Sequence, residues 1–529
     1  EFIFLKILLV IYIITSLSTL FSTRTSSMES KIKIQQVLFF KRTNPPVFII
    51  SAVIMLGFIL MATLFGESSK KIFDSVQSTI VKDFSWVFTI STILFLIFIF
   101  FLLFSRFGRI RLGQPDDKPE FGYTTWFAMM FSAGMGIGLV FWSIAEPIKH
   151  FTNPPSIDSQ LSPANLAMGI TYFHWGLHAW SVFIVVGLSL AYFSYRKGLP
   201  LTIRSCFYPL LGNKIYGPWG HAIDIFAVVG TMFGVATSLG LGAMQVNSGL
   251  NFLGDCPENK MTQIVLIALI TACATLSVVL GLEKGISRLS YFNICLSIIL
   301  IAFIFFLGPT MFILQTFGNG VKDYVSNIFY FSYWSEWVAK PSWQSSWTIF
   351  YWGWWIAWAP FVGMFIARIS KGRTLREFII GGFFAPVFAT FIWLSVFGGT
   401  ALHLEIFEGA PISQAVSANV STALFETLAY LPMEKITAAL STLVIVTFFV
   451  TSSDSGSLVI DILTAGGDQN PPRNQRVFWA VTEGVIASVL LLAGGLQALQ
   501  TAAIASGLPF ALIMIGMCFA LFKELRNEP

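Results

Sequence analysis

Residues 124–144 read TTWFAMMFSAGMGIGLVFWSI and contain no charged side chain. A helix rises about 1.5 Å per residue and needs about 20 apolar residues to cross a bilayer, so this stretch predicts a membrane span. Gly134, Gly136 and Gly138 lie in this span, and each glycine disfavours a helix by about 1 kcal/mol relative to alanine. We therefore expect a helix that is broken at these glycines. The alternative is that the glycines let intact helices pack closely.

The composition extends this prediction to the whole chain. Of the 529 residues, 55% are hydrophobic and only 11% are charged. A soluble domain has about 25% charged residues. The mean hydropathy is +0.75. Such a chain cannot cover its surface with charge, so most of it must contact a lipid bilayer. The sequence predicts an all-α membrane protein.

Several functional classes lack their sequence signatures here. No basic block interleaved with aromatic residues indicates a nucleic-acid partner, and no GxxxxGK[ST] motif indicates an ATP-driven pump. The five cysteines are far apart and form no CxxC pair, so we expect free thiols. An intramembrane enzyme would need an HExxH pair or paired carboxylates. A channel or receptor would need a polar pore lining or a sensing domain, and the sequence has neither.

Eleven further apolar runs pass the same length test. The predicted spans, about twelve in all, are Val47–Gly66, Trp86–Phe107, Thr124–Ile144, Leu166–Tyr195, Ala222–Leu250, Thr262–Leu282, Leu289–Phe317, Trp347–Ile369, Phe378–Leu402, Ile436–Leu463, Val477–Ala493 and Leu499–Phe522. An aromatic, amphipathic stretch at residues 318–346 predicts a helix along the outer interface.

The loop charges predict the orientation. Loops that alternate along the chain are basic, as cytoplasmic loops are, whereas residues 405–431 contain no Lys or Arg. We therefore expect a multi-pass protein of the inner (plasma) membrane with both termini in the cytoplasm. The basic residues are Arg106, Arg109, Arg111, Lys118, Arg196, Lys197, Arg204, Lys284, Arg288, Lys371, Arg373, Arg376, Arg473, Arg476, Lys523 and Arg526.

The chain divides into six parts by this reading. They are an N-terminal segment (1–46), two extra N-terminal helices (47–122), a first unit (123–317), the interfacial helix (318–346), a second unit (347–522) and a short tail (523–529). The apolar run from Phe2 to Phe21 is either a signal segment or an extra span, or residues 1–27 lie upstream of the true start at Met28. We favour the latter, because only Lys6 could form a basic signal start.

Aromatic residues are densest in the eighth span and recur in the fourth. Trp355 and Trp358 are three residues apart and share a helix face. Trp180 and Phe183 also share a face, and Trp175 is close to Phe183 in helical angle. Such faces can surround a quaternary ammonium group through cation–π attraction. The alternative is ordinary aromatic packing.

The tenth span contains the polar stretch TSSDSGS at residues 451–457. Hydroxyls and a carboxylate within an apolar helix are costly unless they serve an ion or a partner. We expect this stretch to interrupt the helix and to offer oxygen ligands to Na⁺. The alternative is that the hydroxyls bond back to their own helix. Asp224, Asp461 and Glu483, the other acidic residues considered within spans, form no evident proton relay.

Several motifs occur together along residues 41–521. They are Arg111-Leu-Gly with Lys118-Pro-Glu-Phe121, Ala133-Gly-Met-Gly-Ile-Gly138, Trp142-Ser-Ile-Ala-Glu-Pro147, His174-Trp-Gly-Leu-His-Ala-Trp180, Ser238-Leu-Gly-Leu-Gly242, Trp354-Trp-Ile-Ala-Trp-Ala-Pro-Phe-Val-Gly-Met-Phe365, Ala367-Arg-Ile-Ser-Lys-Gly-Arg373 and Thr451-Ser-Ser-Asp-Ser455. In this combination the chain resembles the betaine/choline/carnitine transporter family. The resemblance implies a leucine-transporter-like fold in which spans three to seven and eight to twelve form inverted repeats. It also implies a homotrimer, a small quaternary ammonium substrate and alternating access around a central site.

The resemblance also implies roles for individual residues. Trp175, Trp180 and Trp355 match the walls of an ammonium box, and Phe183 stands where some betaine carriers have tyrosine. Trp358 matches a cytoplasmic-side substrate station. One sodium site of the family matches the backbone carbonyls of Ser132 and Met135 with the hydroxyls of Thr451 and Ser452.

A second sodium site of the family uses two threonines one turn apart and an aromatic ring. Thr231 and Phe361 match, but the second threonine position is Val235, which offers no oxygen. The family's sodium-independent carnitine exchangers have an arginine near the start of the seventh span, whereas residues 290–294 here read SYFNI. This difference favours ion coupling and leaves the number of ions open.

We interpret the chain as a secondary transporter that takes up glycine betaine, or a similar zwitterion, by Na⁺ symport, with Na⁺ as coupling ion and no cofactor. Choline carriers of the family tend to have an acidic residue at the position of Gly138. In the betaine type, backbone N–H groups can meet the substrate carboxylate instead. The residues expected to do so are Gly134, Met135, Gly136, Ile137 and Gly138. The alternative is a proton-coupled choline carrier or a carnitine/betaine exchanger.

Overall fold

The computed structural model describes residues 32–37, 40–134, 136–157, 160–279, 283–333 and 343–528, without the side chains of 66–67, 131–134, 277–279 and 283–288. The run from Phe2 to Phe21, Met28 and residues 334–342 of the expected interfacial helix lie outside this part.

The described residues form an all-α membrane protein, which confirms the predicted fold class. Two short strands, β1 (Gln35–Val37) and β2 (Phe40–Thr43), pair antiparallel before the first helix. The helices are α1 (Pro45–Phe104), α2 (Tyr123–Gly134), α3 (Ile137–Thr152), α4 (Pro163–Trp175), α5 (Leu177–Ala191), α6 (Tyr208–Leu211), α7 (Pro218–Gly254), α8 (Lys260–Val279), α9 (Glu283–Leu307), α10 (Thr310–Tyr333), α11 (Trp343–Ser346), α12 (Thr348–Arg368), α13 (Leu375–Phe407), α14 (Ile412–Ala418), α15 (Ala423–Leu428), α16 (Glu434–Thr464) and α17 (Arg473–Leu525).

Helix α1 contains two spans that fold back on each other. The rings of Phe58 and Phe73 lie 5.8 Å apart. Fifteen residues of straight helix would separate them by about 22 Å. Ser69 Oγ also donates a hydrogen bond to the carbonyl of Met61 (3.2 Å), which a straight helix would place too far away. The chain therefore reverses direction between these residues, as two adjacent spans require.

Nine helical segments within the described residues are long and apolar enough to cross a bilayer. The third predicted span is divided between α2 and α3, and the sixth matches the shorter apolar helix α8. The last two predicted spans both lie in α17, which bends at Gly495 (φ 59°, ψ −138°). The total of twelve and the inverted repeat stay predictions.

Two spans of this bundle are broken at glycine. Helix α2 ends at Gly134, and α3 begins after Gly136, whose backbone is extended (φ −143°, ψ −172°), so the expected break in the third span is present. The fourth span, predicted as one helix, is also broken. Helix α4 ends at Trp175, and α5 begins after Gly176 (φ −90°, ψ −136°). A Cβ at Gly176 would lie 2.5 Å from the carbonyl oxygen of Tyr172, so this break requires glycine.

The predicted end of the seventh span at Phe317 is wrong. Helix α9 ends at Leu307, and a new helix, α10, begins after Gly308-Pro309. Proline has no N–H to continue a helical ladder and disfavours a helical conformation in the residue before it. Helix α10 accordingly begins earlier than the interfacial helix expected at residues 318–346.

The predicted interruption of the tenth span is also wrong. Helix α16 runs without a break through residues 451–457. The hydroxyl of Thr451 donates hydrogen bonds to the carbonyls of Thr447 (3.0 Å) and Phe448 (3.1 Å) of its own helix. For this residue the hydroxyl therefore bonds back to its own helix, which was the alternative interpretation.

Helix α12 lies at the centre of the bundle and packs against α5, α7 and α17. Glycines permit two close approaches. A Cβ at Gly353 would lie 2.8 Å from the Cα of Ile504, and one at Gly363 would lie 2.9 Å from the backbone nitrogen of Gly187. The aromatic side chains of α12 are consequently enclosed by other helices rather than by lipid.

Glu528, which follows α17, is attached to the end of the fourth span, where a π-helical turn (Tyr192–Arg196) continues from α5. The carboxylate of Glu528 accepts hydrogen bonds from Arg196 (2.6 Å) and from the hydroxyl of Tyr192 (2.8 Å), and it forms an ion pair with Lys197 (3.1 Å). Burial by itself would raise the pKa of Glu528, but the bonds from Arg196, Tyr192 and Lys197 outweigh it and lower the pKa to about 2.

We predict that Glu528→Gln lowers the free energy of unfolding by about 1.5–3 kcal/mol at pH 7, the range for a hydrogen bond to a charged group. Because the folded-state pKa is depressed, the stabilisation is present above the unfolded value of about 4.3 and is lost as the pH falls toward 2. Thermal unfolding in detergent measures the difference between variant and wild type at each pH. Glu524→Gln is the matched control, because Glu524 pairs only with Lys197 among the described ion pairs (2.8 Å) and should have a smaller effect. Equal effects of the two substitutions would contradict the prediction.

Candidate functional site

The predicted aromatic residues meet around one point between α4, α5 and α12. The ring centroids of Trp175 and Trp355 lie 4.8 Å apart, edge to face. Phe183 contacts Trp180 at 5.5 Å and Trp355 at 6.0 Å, in both cases edge to face. All four side chains are buried. The two aromatic faces read from separate spans therefore form one cluster, which we call the aromatic box.

Trp358 extends the aromatic box toward Arg368, the end of α12 expected in the cytoplasm. Its ring centroid lies 6.4 Å from that of Phe183 and 5.4 Å from that of Phe361. The sequence placed Phe361 at a second sodium site. Its companion Thr231 donates its hydroxyl to the carbonyl of Ala227 in its own helix (2.8 Å).

Trp354 also belongs to this region, although no role was predicted for it from the sequence. Its ring stacks on Trp355 (4.9 Å, 13° between planes) and on Phe350 (5.4 Å, 16°). Trp354 precedes Trp355 in the chain and points partly away from the shared helix face, so the spacing of three residues did not select it.

The glycine break in the third span lies directly against these rings. A Cβ at Gly136 would lie 3.0 Å from the ring of Trp358, and one at Gly138 would overlap the ring of Trp354. Side chains at these two positions would therefore push the tryptophans away. Trp354 and Trp358 therefore connect the break to the aromatic box, because they contact Trp355 and Phe183.

A buried carboxylate, Glu146, lies behind Trp175. Its Oε2 accepts hydrogen bonds from Trp175 Nε1 (2.7 Å) and the Tyr351 hydroxyl (2.5 Å). Its Oε1 is hydrogen bonded to His174 Nδ1 (2.6 Å) and His150 Nε2 (3.2 Å). Glu146 and His174 lie in motifs that resemble the family's, but no role was predicted for either residue. A lone carboxylate in an apolar span, four residues before a histidine, was the available signal.

The predicted sodium residues are only partly described. Met135 and the side chain of Ser132 lie outside the described residues. The hydroxyl oxygen of Ser452 would lie 4.0 Å from a Cβ at Gly136, so α16 does approach the break. Val235 of α7 packs against α16 at Gly456. A Cβ added at Gly456 would lie 2.9 Å from a side-chain methyl of Val235. The assignment of sodium ligands stays a prediction.

With this geometry in place, comparison with known proteins identifies the family. The family model described as BCCT, betaine/carnitine/choline family transporter, matches residues 46–529. The chain belongs to this family. Its members are transporters of the membrane, so this BCCT protein is a transporter and not an enzyme.

Individual relatives agree with this classification. A "Probable glycine betaine transporter" of Desulfitobacterium hafniense is 45% identical over 492 residues, which is 92% of this chain and 98% of the relative. The "Glycine betaine transporter OpuD" of Bacillus subtilis is 43% identical over 489 residues (91% and 94%). The "Osmo-dependent choline transporter BetT2" of Acinetobacter baylyi is 42% identical over 493 residues (92% and 72%). Betaine and choline carriers are thus both among its relatives.

We predict that Gly138→Ala reduces substrate uptake by at least about tenfold, because the added methyl group would displace the Trp354 ring at a cost of roughly 1–3 kcal/mol. Uptake of radiolabelled substrate, normalised to folded protein in the membrane, measures the effect. Gly57→Ala is the control, because apart from its own helix backbone no atom lies within 4 Å of a Cβ at that position. Wild-type uptake by the Gly138 variant would contradict the prediction.

Proposed function

We propose that this protein takes up glycine betaine, or a similar zwitterion with a quaternary ammonium group, by Na⁺ symport through alternating access. The observation that carries the proposal is the juxtaposition of the aromatic box with the glycine break, which lies against the neighbouring rings of Trp354 and Trp358. The aromatic box would offer ring faces to the ammonium group, and the glycine break would offer backbone N–H groups to the carboxylate.

Ring faces are suited to the trimethylammonium group. This group has no N–H to donate, so charge and shape are all that a site can recognise. Each suitably placed ring contributes about 0.5–2 kcal/mol through cation–π attraction. Trp175, Trp180 and Trp355 would supply three faces and Phe183 a fourth, on the walls of the box described above.

The start of α3 is suited to the substrate carboxylate. The first N–H groups of a helix have no partner within it, and the helix dipole favours negative charge at this end. Helix α3 begins at Ile137, directly after the break, beside the rings of Trp354 and Trp358. The residues from Gly134 to Gly138 would therefore bind the carboxylate through backbone groups rather than through a cationic side chain.

The crowding at Gly138 supports betaine over choline. Choline has no carboxylate, and the resemblance implies an acidic side chain at this position in choline carriers. Here the space that such a side chain would need is filled by Trp354. A choline or carnitine carrier, coupled to protons or exchanging substrates, is the second candidate, because choline transporters are among the relatives.

For the coupling ion we propose Na⁺ at the contact between the glycine break and α16. Hydroxyl and carbonyl oxygens are the ligands that this hard cation prefers. Ser452, Thr451 and the backbone of Ser132 and Met135 would provide them, and the approach of Ser452 to Gly136 supports this arrangement. A second ion near Thr231 and Phe361 would lack a ligand at Val235. We also propose cytoplasmic termini, which the basic loops support, and a homotrimer, which the family resemblance supports.

We predict that Trp355→Leu raises the KM for betaine by about tenfold or more, because it removes a ring face worth up to about 2 kcal/mol. Trp352→Leu is the matched control, because Trp352 is equally buried in α12 but packs against Phe173 and His178 instead. Its KM should stay near the wild-type value even if less protein folds. Uptake kinetics in proteoliposomes, scaled to protein recovered, distinguish the two. An unchanged KM for Trp355→Leu would exclude the box assignment.

We also predict that Ser452→Ala increases the Na⁺ concentration for half-maximal uptake by about tenfold, the loss expected for one hydrogen-bond-scale ligand of 1–2 kcal/mol. Thr442→Ala is the control in the same helix, because its hydroxyl donates to the carbonyl of Ala438 (2.9 Å). The assay compares betaine, choline and carnitine, each with and without Na⁺. Betaine uptake that is independent of Na⁺ would favour the second candidate.

A further inference from the structure

We propose that Glu146 is a positioning residue of the aromatic box, and that it acts as a hydrogen-bond acceptor for the indole of Trp175. This inference rests on the proposed function, because it assigns the box to substrate. Glu146 is not itself a wall of the box, and it acts through the indole ring of Trp175, to which it is hydrogen bonded.

The carboxylate of Glu146 is completely surrounded by hydrogen-bonding groups. The side chain is buried, with 0% exposure, and four groups from three helices point at its two oxygens. These groups are the ring nitrogens of His150 and His174, the indole N–H of Trp175 and the hydroxyl of Tyr351. The indole N–H of Trp175 can only donate, and in its ionised form the carboxylate only accepts, so that all four groups then donate to it. A buried charge is tolerated when it is satisfied in this way.

Trp175 needs such an anchor because of its place in the chain. It is the last residue of α4, directly before the break at Gly176, so the helix does not continue beyond it to restrain it. Trp180 and Phe183 are on the other side of the break, in the interior of α5. Among the described contacts, none joins Trp180 to Glu146. The carboxylate thus fixes the one wall that lies at a helix end.

The same group also fixes a second wall indirectly. His174 Nδ1 is hydrogen bonded to Glu146 Oε1 (2.6 Å), while its Nε2 lies 2.9 Å from the hydroxyl of Thr348 in α12. The backbone carbonyl of His174 accepts the indole N–H of Trp355 (2.9 Å). Trp175 and Trp355, which contact each other edge to face, are therefore both held by hydrogen bonds that converge on residues 146 and 174.

The donors differ in how they could respond to a change at residue 146. A histidine ring can move its proton and accept, and a hydroxyl can rotate, but an indole N–H can only donate. Glutamine could therefore replace Glu146 by turning its oxygen toward Trp175 and its NH₂ toward the histidines. Leucine could not, because it leaves the indole N–H buried without a partner. A proton carrier would show the opposite pattern, since it requires a group that titrates.

The decisive experiment measures the KM for betaine in proteoliposomes containing wild type, Glu146→Gln and Glu146→Leu. Because Leu leaves the indole N–H buried without an acceptor, we expect it to raise KM by about tenfold and Gln by less than about threefold. Gln and Leu variants that are equally defective, at equal folded protein, would overturn the proposal.

A double-mutant cycle tests whether Glu146 acts through Trp175. Trp175→Phe removes the N–H and retains a ring, so the effect of Glu146→Leu should largely disappear in that background. Trp180→Phe is the matched control in the same box, and there the effect of Glu146→Leu should stay additive. Additive behaviour with Trp175→Phe would overturn the proposal.

A measurement without substrate separates this inference from the proposed function. In ¹⁵N-tryptophan-labelled protein, Trp175→Phe assigns the Trp175 indole signal among the 16 tryptophans. Glu146→Gln, which we expect to fold, should weaken the hydrogen bond and shift that signal upfield while the Trp180 signal stays in place. An unmoved Trp175 signal would overturn the inference even if betaine is transported. Absence of betaine uptake by the wild type, with the shift observed, would refute the proposed function alone.

Discussion

Unpaired backbone cannot face lipid, and this constraint accounts for the centre of the molecule. The breaks at Gly136 and Gly176 leave backbone groups without helical partners at membrane depth, where each would cost several kcal/mol if exposed to hydrocarbon. They are tolerated because α12 covers the first with Trp354 and Trp358, and because other helices enclose α12. The aromatic residues of α12 therefore divide two functions in this interpretation. Trp354 and Trp358 cover the broken backbone, and the adjacent Trp355 forms a wall of the proposed site.

The fold class and the first break were both predictable, because each has a signal in neighbouring residues of the sequence. Apolar length and charged loops report burial in lipid directly, and three closely spaced glycines are difficult to reconcile with an intact helix. The break at Gly176 was not predicted, because a single glycine forms no pattern in the sequence. Glycine is required there by the nearby carbonyl of Tyr172, which lies close to it only in the folded chain. At residues 451–457 the prediction failed because serine and threonine can satisfy their hydroxyls on the preceding turn, as Thr451 does. Gly308-Pro309 is a helix-ending dipeptide, but the apolar run continues beyond it, and the seventh span was therefore predicted too long.

Residues of the candidate site that are close together in the sequence were easier to predict than those that meet only in the folded protein. Trp355 and Trp358 share a face at a spacing of three, so helical geometry alone brings them together. The contact of Trp175 with Trp355 joins residues 180 positions apart, and only the family resemblance placed them in one box. Glu146 was out of reach for another reason. Its role depends on four donors from three helices, and buried carboxylates elsewhere use a different solution, as in the Arg204–Asp224 pair, where both side chains have 0% exposure.

The break at Gly176 has a mechanical consequence for the proposed cycle. It divides the walls that come from the fourth span between two helices, with Trp175 on one and Trp180 with Phe183 on the other. In the proposed cycle, the distance between these walls would depend on the two dihedral angles of Gly176. Cation–π attraction depends on the distance between ring and cation, so affinity becomes a function of a hinge angle. A site built in this way would bind and release its substrate through rotation at Gly176, a residue that directly follows one of the walls.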